Sequence, residues 1–315
     1  SGACTGTTAT CTVTMNAAKS VTATFNTPLQ ARPETLSAGL NYTCGLRTDG
    51  AATCWGVGYY GEATPPSGFF TQLSAGGYHT CGVKTDGTVA CWGAGTTNTG
   101  SLPHYGQALP PAGTFTQVSA GYLHTCGVKT DGTVACWGAG TTNTGNPHYG
   151  QAMPPVGAFV QVSAGFWHTC GIKTDGAVAC WGSNDSGQVT PPAGTFTQLS
   201  AGNWHTCGVK TDGTVACWGY NHEGQATPPA GAFIQLGAGV YHTCGVKTDG
   251  AVACWGAGTT NSGSDPHYGQ SLPPAGLFTQ LSGGQYHTCG VKTDGAVACW
   301  GDNRYGQLGP TLTVT

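Results

Sequence analysis

The chain of 315 residues carries a formal net charge of -3, with only 7% of its residues charged, and holds 54 glycines and 16 cysteines. So sparse and balanced a charge inventory leaves no basic stripe for phosphate-driven nucleic-acid binding, and no apolar run approaches the roughly 20 residues of a membrane-spanning helix. Short apolar runs between Gly- and Thr-rich turns, without a long amphipathic helical period, predict an all-β protein.

In chain order, residues 1–26 stand apart. CTVTMNAAKSVTATF alternates as two strands about a turn at Asn16 to Lys19, and resembles the C-terminal part of the small β repeats strung along bacterial surface proteins. Residues 27–33, TPLQARP, read as a linker, and 34–315 as one repeat domain. Within it a unit recurs seven times: F-x-Q-L-S-A-G, two variable residues, H-T-C-G-V-K-T-D-G-x-V-A-C-W-G, then a loop ending in G-Q and a P-P-x-G connector. Successive units lie 37 to 45 residues apart, the length of a four-stranded propeller blade. FTQLSA, HTCGVK, TVACWG and the segment near GQ are the strands this predicts. An open solenoid needs polar caps that neither end of the array shows, so a closed ring is expected, its terminal segments completing a shared blade.

Seven cysteine pairs share a spacing of ten: Cys44/Cys54, Cys81/Cys91, Cys126/Cys136, Cys170/Cys180, Cys207/Cys217, Cys244/Cys254 and Cys289/Cys299; Cys4 and Cys11 make an eighth pair. If Thr85, Asp86 and Gly87 form a three-residue loop with Gly87 left-handed, Val83 faces Val89 and Cys81 faces Cys91. Opposed Cα atoms then lie about 4.5 to 5.5 Å apart, within the range a disulfide accepts. C-x-x-C never occurs and no histidine stands at a zinc-ligand spacing from the pairs, so disulfides are expected and metal ligation is not. That many bridges require an oxidising setting, which predicts an exported chain; with the resemblance of residues 1–26, the location expected is extracellular or a bacterial cell surface.

The pattern A-G-x-x-H-T-C-G-V-K-T-D-G-x-V-x-x-W-G-x-N-x-x-G-Q, clearest at 201–225, resembles the repeat of the regulator-of-chromosome-condensation family over about residues 36–309. The resemblance implies a seven-bladed β-propeller, here with one intra-hairpin disulfide per blade that sets the chain apart from the nuclear type. It does not fix a function, because similar propellers serve as a nuclear nucleotide-exchange factor, a plant UV-B receptor and secreted bacterial inhibitors of β-lactamases.

Positions that never vary among the units read as scaffold. The histidines His79, His124, His168, His205, His242 and His287 are expected to make structural hydrogen bonds, and the tryptophan after each second cysteine to pack between blades. Positions that vary are free to serve a partner. Just before each histidine stands an aromatic pair or single ring: Tyr78, Tyr122, Phe166 with Trp167, Trp204, Tyr241 and Tyr286. The resemblance places this turn on one face around the central opening, where such rings would stack on sugars or anchor a protein. Three units also carry a long insertion, with Asn98, His104 and Tyr105, Asn143, His148 and Tyr149, and Asn261, His267 and Tyr268 in common. These are secondary candidates for bonding a glycan or a neighbouring protomer; the alternative is an Ω-like loop that stabilises itself. Asp265 is the only acid in the insertions, too few for calcium.

Carboxylates outside the hairpin turns are scattered over different units, no nucleophile motif occurs, and no cofactor is expected. The sequence therefore reads as a non-enzymatic extracellular scaffold or binding module of a larger bacterial surface or secreted protein. It would recognise a glycan or surface ligand through one propeller face. The alternative is a protein–protein module, either an inhibitor-like binder or a self-assembling filament subunit.

Overall fold

The computed structural model describes residues 36–309. The repeat tail at 1–26, the linker at 27–33 and the Cys4/Cys11 pair lie outside the described residues.

Each unit folds into a three-stranded antiparallel sheet in sequence order, its β-branched and aromatic runs bounded by glycine-containing turns. In the second unit the inner, middle and outer strands are Phe70–Ala75, His79–Lys84 and Val89–Gly93. The first blade uses Leu36–Ala38, Tyr42–Leu46 and Ala52–Gly56, and the seventh Phe278–Gly283, His287–Lys292 and Val297–Gly301. The middle and outer strands pair in the expected register, Val83 opposite Val89 and Cys81 opposite Cys91. Gly87 takes φ of 81° at the turn, where a side chain would be strained, and Asp86 Oδ1 accepts from Thr88 N–H at 2.9 Å.

Among the described residues all seven blades carry their disulfide: Cys44 to Cys54, Cys81 to Cys91, Cys126 to Cys136, Cys170 to Cys180, Cys207 to Cys217, Cys244 to Cys254 and Cys289 to Cys299. Their Cα separations of 4.0 to 4.1 Å are shorter than the ladder spacing expected. The two ends of each bridge differ in surroundings. The first cysteine, on the middle strand, is fully buried. Its partner on the outer strand is only half-buried, as at Cys54, Cys180, Cys217, Cys254 and Cys299, because that strand borders solvent.

The segment near GQ is not a fourth strand. It is a turn in which Gln107 Oε1 accepts from Tyr105 N–H, while the Gln107 carbonyl accepts from Trp137 Nε1 at 2.8 Å and Thr125 Oγ1 at 3.0 Å of the next blade. A carbonyl taken by a neighbouring blade cannot join a ladder of its own. The long insertions form two-stranded hairpins of their own, Asn98–Ser101 with His104–Tyr105 being the first.

The core lies between blades. Cys81 and Val83 of the second blade pack on Phe115, Val118 and Trp137 of the third, and the same set recurs around the wheel. Because both its faces meet a neighbouring sheet, the middle strand is buried along nearly its whole length. The ring closes where the seventh blade meets the first: Ala38 N–H donates to Ser282 Oγ, Gln280 Nε2 to Leu36 O, and Trp55 Nε1 to Gln307 O at 2.9 to 3.0 Å. Blades one and seven each take their three strands from a single unit, so among the described residues no blade is shared between the two ends. Interlocking side chains make the closure.

Candidate binding face

In an antiparallel three-stranded sheet the turn from inner to middle strand lies at the same end as the exit from the outer strand. The variable turn and the loop after each W-G therefore open on one face, while the K/R-T-D-G hairpins occupy the other. The two groups of candidate residues, separate in sequence, belong to one surface.

Around the axis this face forms a bowl of about 580 Å³ lined by Tyr78, Tyr122, Phe166, Trp204, Tyr241 and Tyr286. The rings touch in succession: Tyr78 to Tyr122 at 5.1 Å between centroids, Tyr122 stacked on Phe166 at 3.6 Å, Phe166 to Trp204 at 5.7 Å, Trp204 to Tyr241 at 6.1 Å, and Tyr241 to Tyr286 at 6.2 Å. The hydroxyls of Tyr78 and Tyr122 hydrogen-bond at 2.8 Å. Burial and that bond push the Tyr122 hydroxyl above its usual range. Trp167 does not line the bowl; it stands behind Phe166, 4.9 Å away, and reaches Tyr149 at 5.7 Å. The bridging cysteines take no part in the lining either. Cys54, Cys180, Cys217, Cys254 and Cys299, like their counterparts Cys91 and Cys136, pack from the outer strands against the inter-blade core, so the disulfides belong to the scaffold.

The remaining arc is filled by residues the repeat pattern does not single out. Asn41 takes the aromatic's place in the first blade, and Tyr59, Tyr60, Arg304 and Tyr305 come from the loops after the first and seventh outer strands. Their signal in the sequence was their offset from W-G, three and four residues past its glycine, the positions that carry His222 and Glu223 in the fifth unit, but their identities are not repeated. Polar groups sit among the rings: Asn41, Asn203 and Gln285 line the bowl with Arg304. Arg304 donates from Nε and Nη2 to both oxygens of buried Asp302, which holds that carboxyl below its usual range against the opposing effect of burial.

The insertions are partly self-contained. Asn98 and Asn261 Oδ1 accept from their own turn, at Gly100 and Gly263 N–H, and Asn143 is exposed. His104, His148 and His267 each accept a backbone N–H at Nδ1, from Gly95, Gly140 and Gly258 at 3.0 to 3.2 Å. Their rings nonetheless extend the aromatic surface: His104 meets Tyr60, Tyr105 meets His148, and Tyr268 meets Tyr286 at 5.2 Å.

Beneath the bowl the repeated histidines form scaffold. Thr125 Oγ1 donates to the Gln107 carbonyl and so accepts from His79 Nε2 at 2.7 Å. The same pairing runs His124 to Thr169, His168 to Thr206, His205 to Thr243, His242 to Thr288 and His287 to Thr43. Nδ1 of each is buried without a partner, and burial lowers five of the imidazoles to about 3 and His287 to about 4. None of these rings is among the residues that line the bowl. Among the described residues no cluster of three or more histidines, cysteines or acids is placed to hold a metal ion.

Comparison with known proteins places this architecture. The "Regulator of chromosome condensation (RCC1) repeat" matches residues 70–98, 115–151, 159–188, 196–225, 233–263 and 278–307. No curated protein matches the chain by sequence. Among solved structures, the CRINKLY WD40 ectodomain of the Arabidopsis thaliana receptor kinase ACR4 is 25% identical with a TM-score of 0.65, over 85% of this chain and 95% of that one. The entire ectodomain of the Physcomitrella patens receptor kinase CR4 is 24% identical with a TM-score of 0.66, over 85% and 73%. Prp20p from Saccharomyces cerevisiae, described with its binding to Gsp1p and histones, is 17% identical with a TM-score of 0.63, over 87% and 84%. With six repeats matched across more than half its length and the propeller closed by the same side chains from blade to blade, the chain belongs to the RCC1 repeat family.

Proposed function

We propose that this propeller is an extracellular, non-enzymatic recognition module of a larger secreted or bacterial surface protein, and that it takes a glycan into the aromatic bowl. The observation that carries the reading is the near-continuous ring of aromatic side chains with planar amides between them. Flat apolar faces suit the C–H faces of sugar rings, and Asn41, Asn203 and Gln285 offer both donors and acceptors to hydroxyls. Seven disulfides in the described residues support an oxidising location, as does the likeness to a receptor-kinase ectodomain.

A glycan array with the wild-type chain, Trp204→Ala and Tyr241→Ala tests the reading. Binding to sugars, reduced about tenfold or more in each variant, is expected. A silent array, or sugar binding indifferent to both changes, contradicts it. The second reading, a protein partner or a second copy of the chain, is favoured by Tyr59, which stands 70% exposed on the rim as an anchor residue would. Pull-down or ordered polymers lost on Tyr59→Ala, with a silent array, would establish it instead.

A further inference from the structure

We infer that the bowl accepts uncharged or cationic ligands and excludes acidic glycans, a specificity that rests on the glycan reading above. Among the described residues, seven of the eight Lys and Arg side chains stand in the K/R-T-D-G turns of the far face, each two residues from an Asp, which leaves that face neutral. The loops on the bowl's side carry Glu62, Asp185, Glu223, Asp265 and Asp302 against Arg304 alone.

Arg304 is already engaged. It donates to both Asp302 oxygens at 2.9 and 3.0 Å, and its guanidinium carbon lies 4.3 Å from the centre of the Tyr268 ring. What remains is an excess of carboxylates in the loops behind the bowl's wall: none of the five lines it, and Glu62 and Asp302 are buried. Burial and the nearby Asp265 carboxylate push the Tyr286 hydroxyl above its usual range at the edge of the aromatic ring, and Glu223 lies 3.1 Å from His222 and 3.9 Å from His267. Concave walls of low dielectric focus such a field. A carboxylated sugar entering within the Debye length of about 10 Å at 0.1 M salt meets repulsion, with no unengaged Lys or Arg among the described residues of that face to offset it. A neutral hexose meets none.

The test compares cellohexaose with its form oxidised to carboxylate at every C6, titrated calorimetrically at low and high salt. Cellohexaose is expected to bind, the acidic hexamer at least about tenfold more weakly at low salt, with the gap narrowing at high salt. Asp302→Asn should free Arg304 and raise affinity for the acidic hexamer severalfold relative to cellohexaose; an unchanged ratio of the two affinities counts against the inference. Equal binding of the two hexamers by the wild type, or tighter binding of the acidic one, overturns the inference and leaves the glycan reading intact. If neither hexamer binds, the field is read without sugar, from relaxation of the Trp204 indole N–H by cationic and anionic nitroxide co-solutes. Stronger relaxation by the cation is expected. Equal or stronger relaxation by the anion overturns the inference independently of any glycan.

Discussion

Each blade contributes one glycine whose missing side chain lets the wheel close. A Cβ on Gly121 would lie 2.5 Å from the Gly165 carbonyl oxygen of the next blade and 2.5 Å from His124 Cε1. Both neighbours are fixed, one as backbone and the other as a ring bonded to Thr169. Gly121→Ala should therefore lower stability by about 2 kcal/mol or more, measured by denaturant midpoint, whereas Gly187→Ala, with nothing within 4 Å but φ of 81°, should lose about 1 kcal/mol from backbone strain alone. Equal losses would contradict the close-approach argument. At this scale the sequence was informative about which residues are scaffold, because Trp recurs in all seven units and His in six, Tyr42 taking its place in the first. It could not show that His79 bonds Thr125, since that contact spans 46 residues and exists only once blades stand side by side.

At the scale of the element, the hairpin is the most legible feature. Gly87 at the turn and the ten-residue cysteine spacing fix its register before any tertiary contact is considered. Replacing Cys126 and Cys136 together by Ser should cost up to about 3 kcal/mol, the chain-entropy ceiling for so short a loop, and lower the Tm by up to about 10 °C without opening the ring. Loss of the folded ring would show that the bridges hold blades together, which the inter-blade core argues against. The GQ segment reads as a strand only because the repeat length suits a four-stranded blade. Its carbonyl is instead the acceptor for the next blade's indole, so Trp218→Phe, which strips the donor from Gln188 O, should destabilise by about 1 to 3 kcal/mol. Little change in unfolding midpoint would count against that role. The rim residues Tyr59, Tyr60, Arg304 and Tyr305 escaped notice for a related reason: they sit in irregular loops whose direction only the folded sheet determines.

For the whole molecule, six neutral imidazoles make stability depend on pH. Burial lowers their folded values to about 3 or 4 from 6.5, so the unfolded chain binds more protons throughout that window. The stabilisation is complete above pH 6.5 and is lost as pH falls toward 3; with all six engaged, the slope approaches about 8 kcal/mol per pH unit. His124→Gln should reduce the slope by about one sixth. A Tm that stays level from pH 7 to pH 4 would refute the neutral ring. That the units close into a wheel was readable from their number and period; that the two candidate groups meet at one bowl was not, because strand polarity decides which loops share a face.

The nine tryptophans provide the most direct test that ligand is taken at the aromatic bowl. Seven donate their indole N–H to the preceding blade's carbonyl, while Trp204 lines the bowl and Trp167 stands behind its rim. In a proton–nitrogen correlation spectrum, titration with the strongest neutral glycan from the array should move the Trp204 signal most and Trp167 next, with the seven clamped indoles still. Shifts among the clamped indoles with Trp204 unmoved would place the ligand elsewhere and contradict the account.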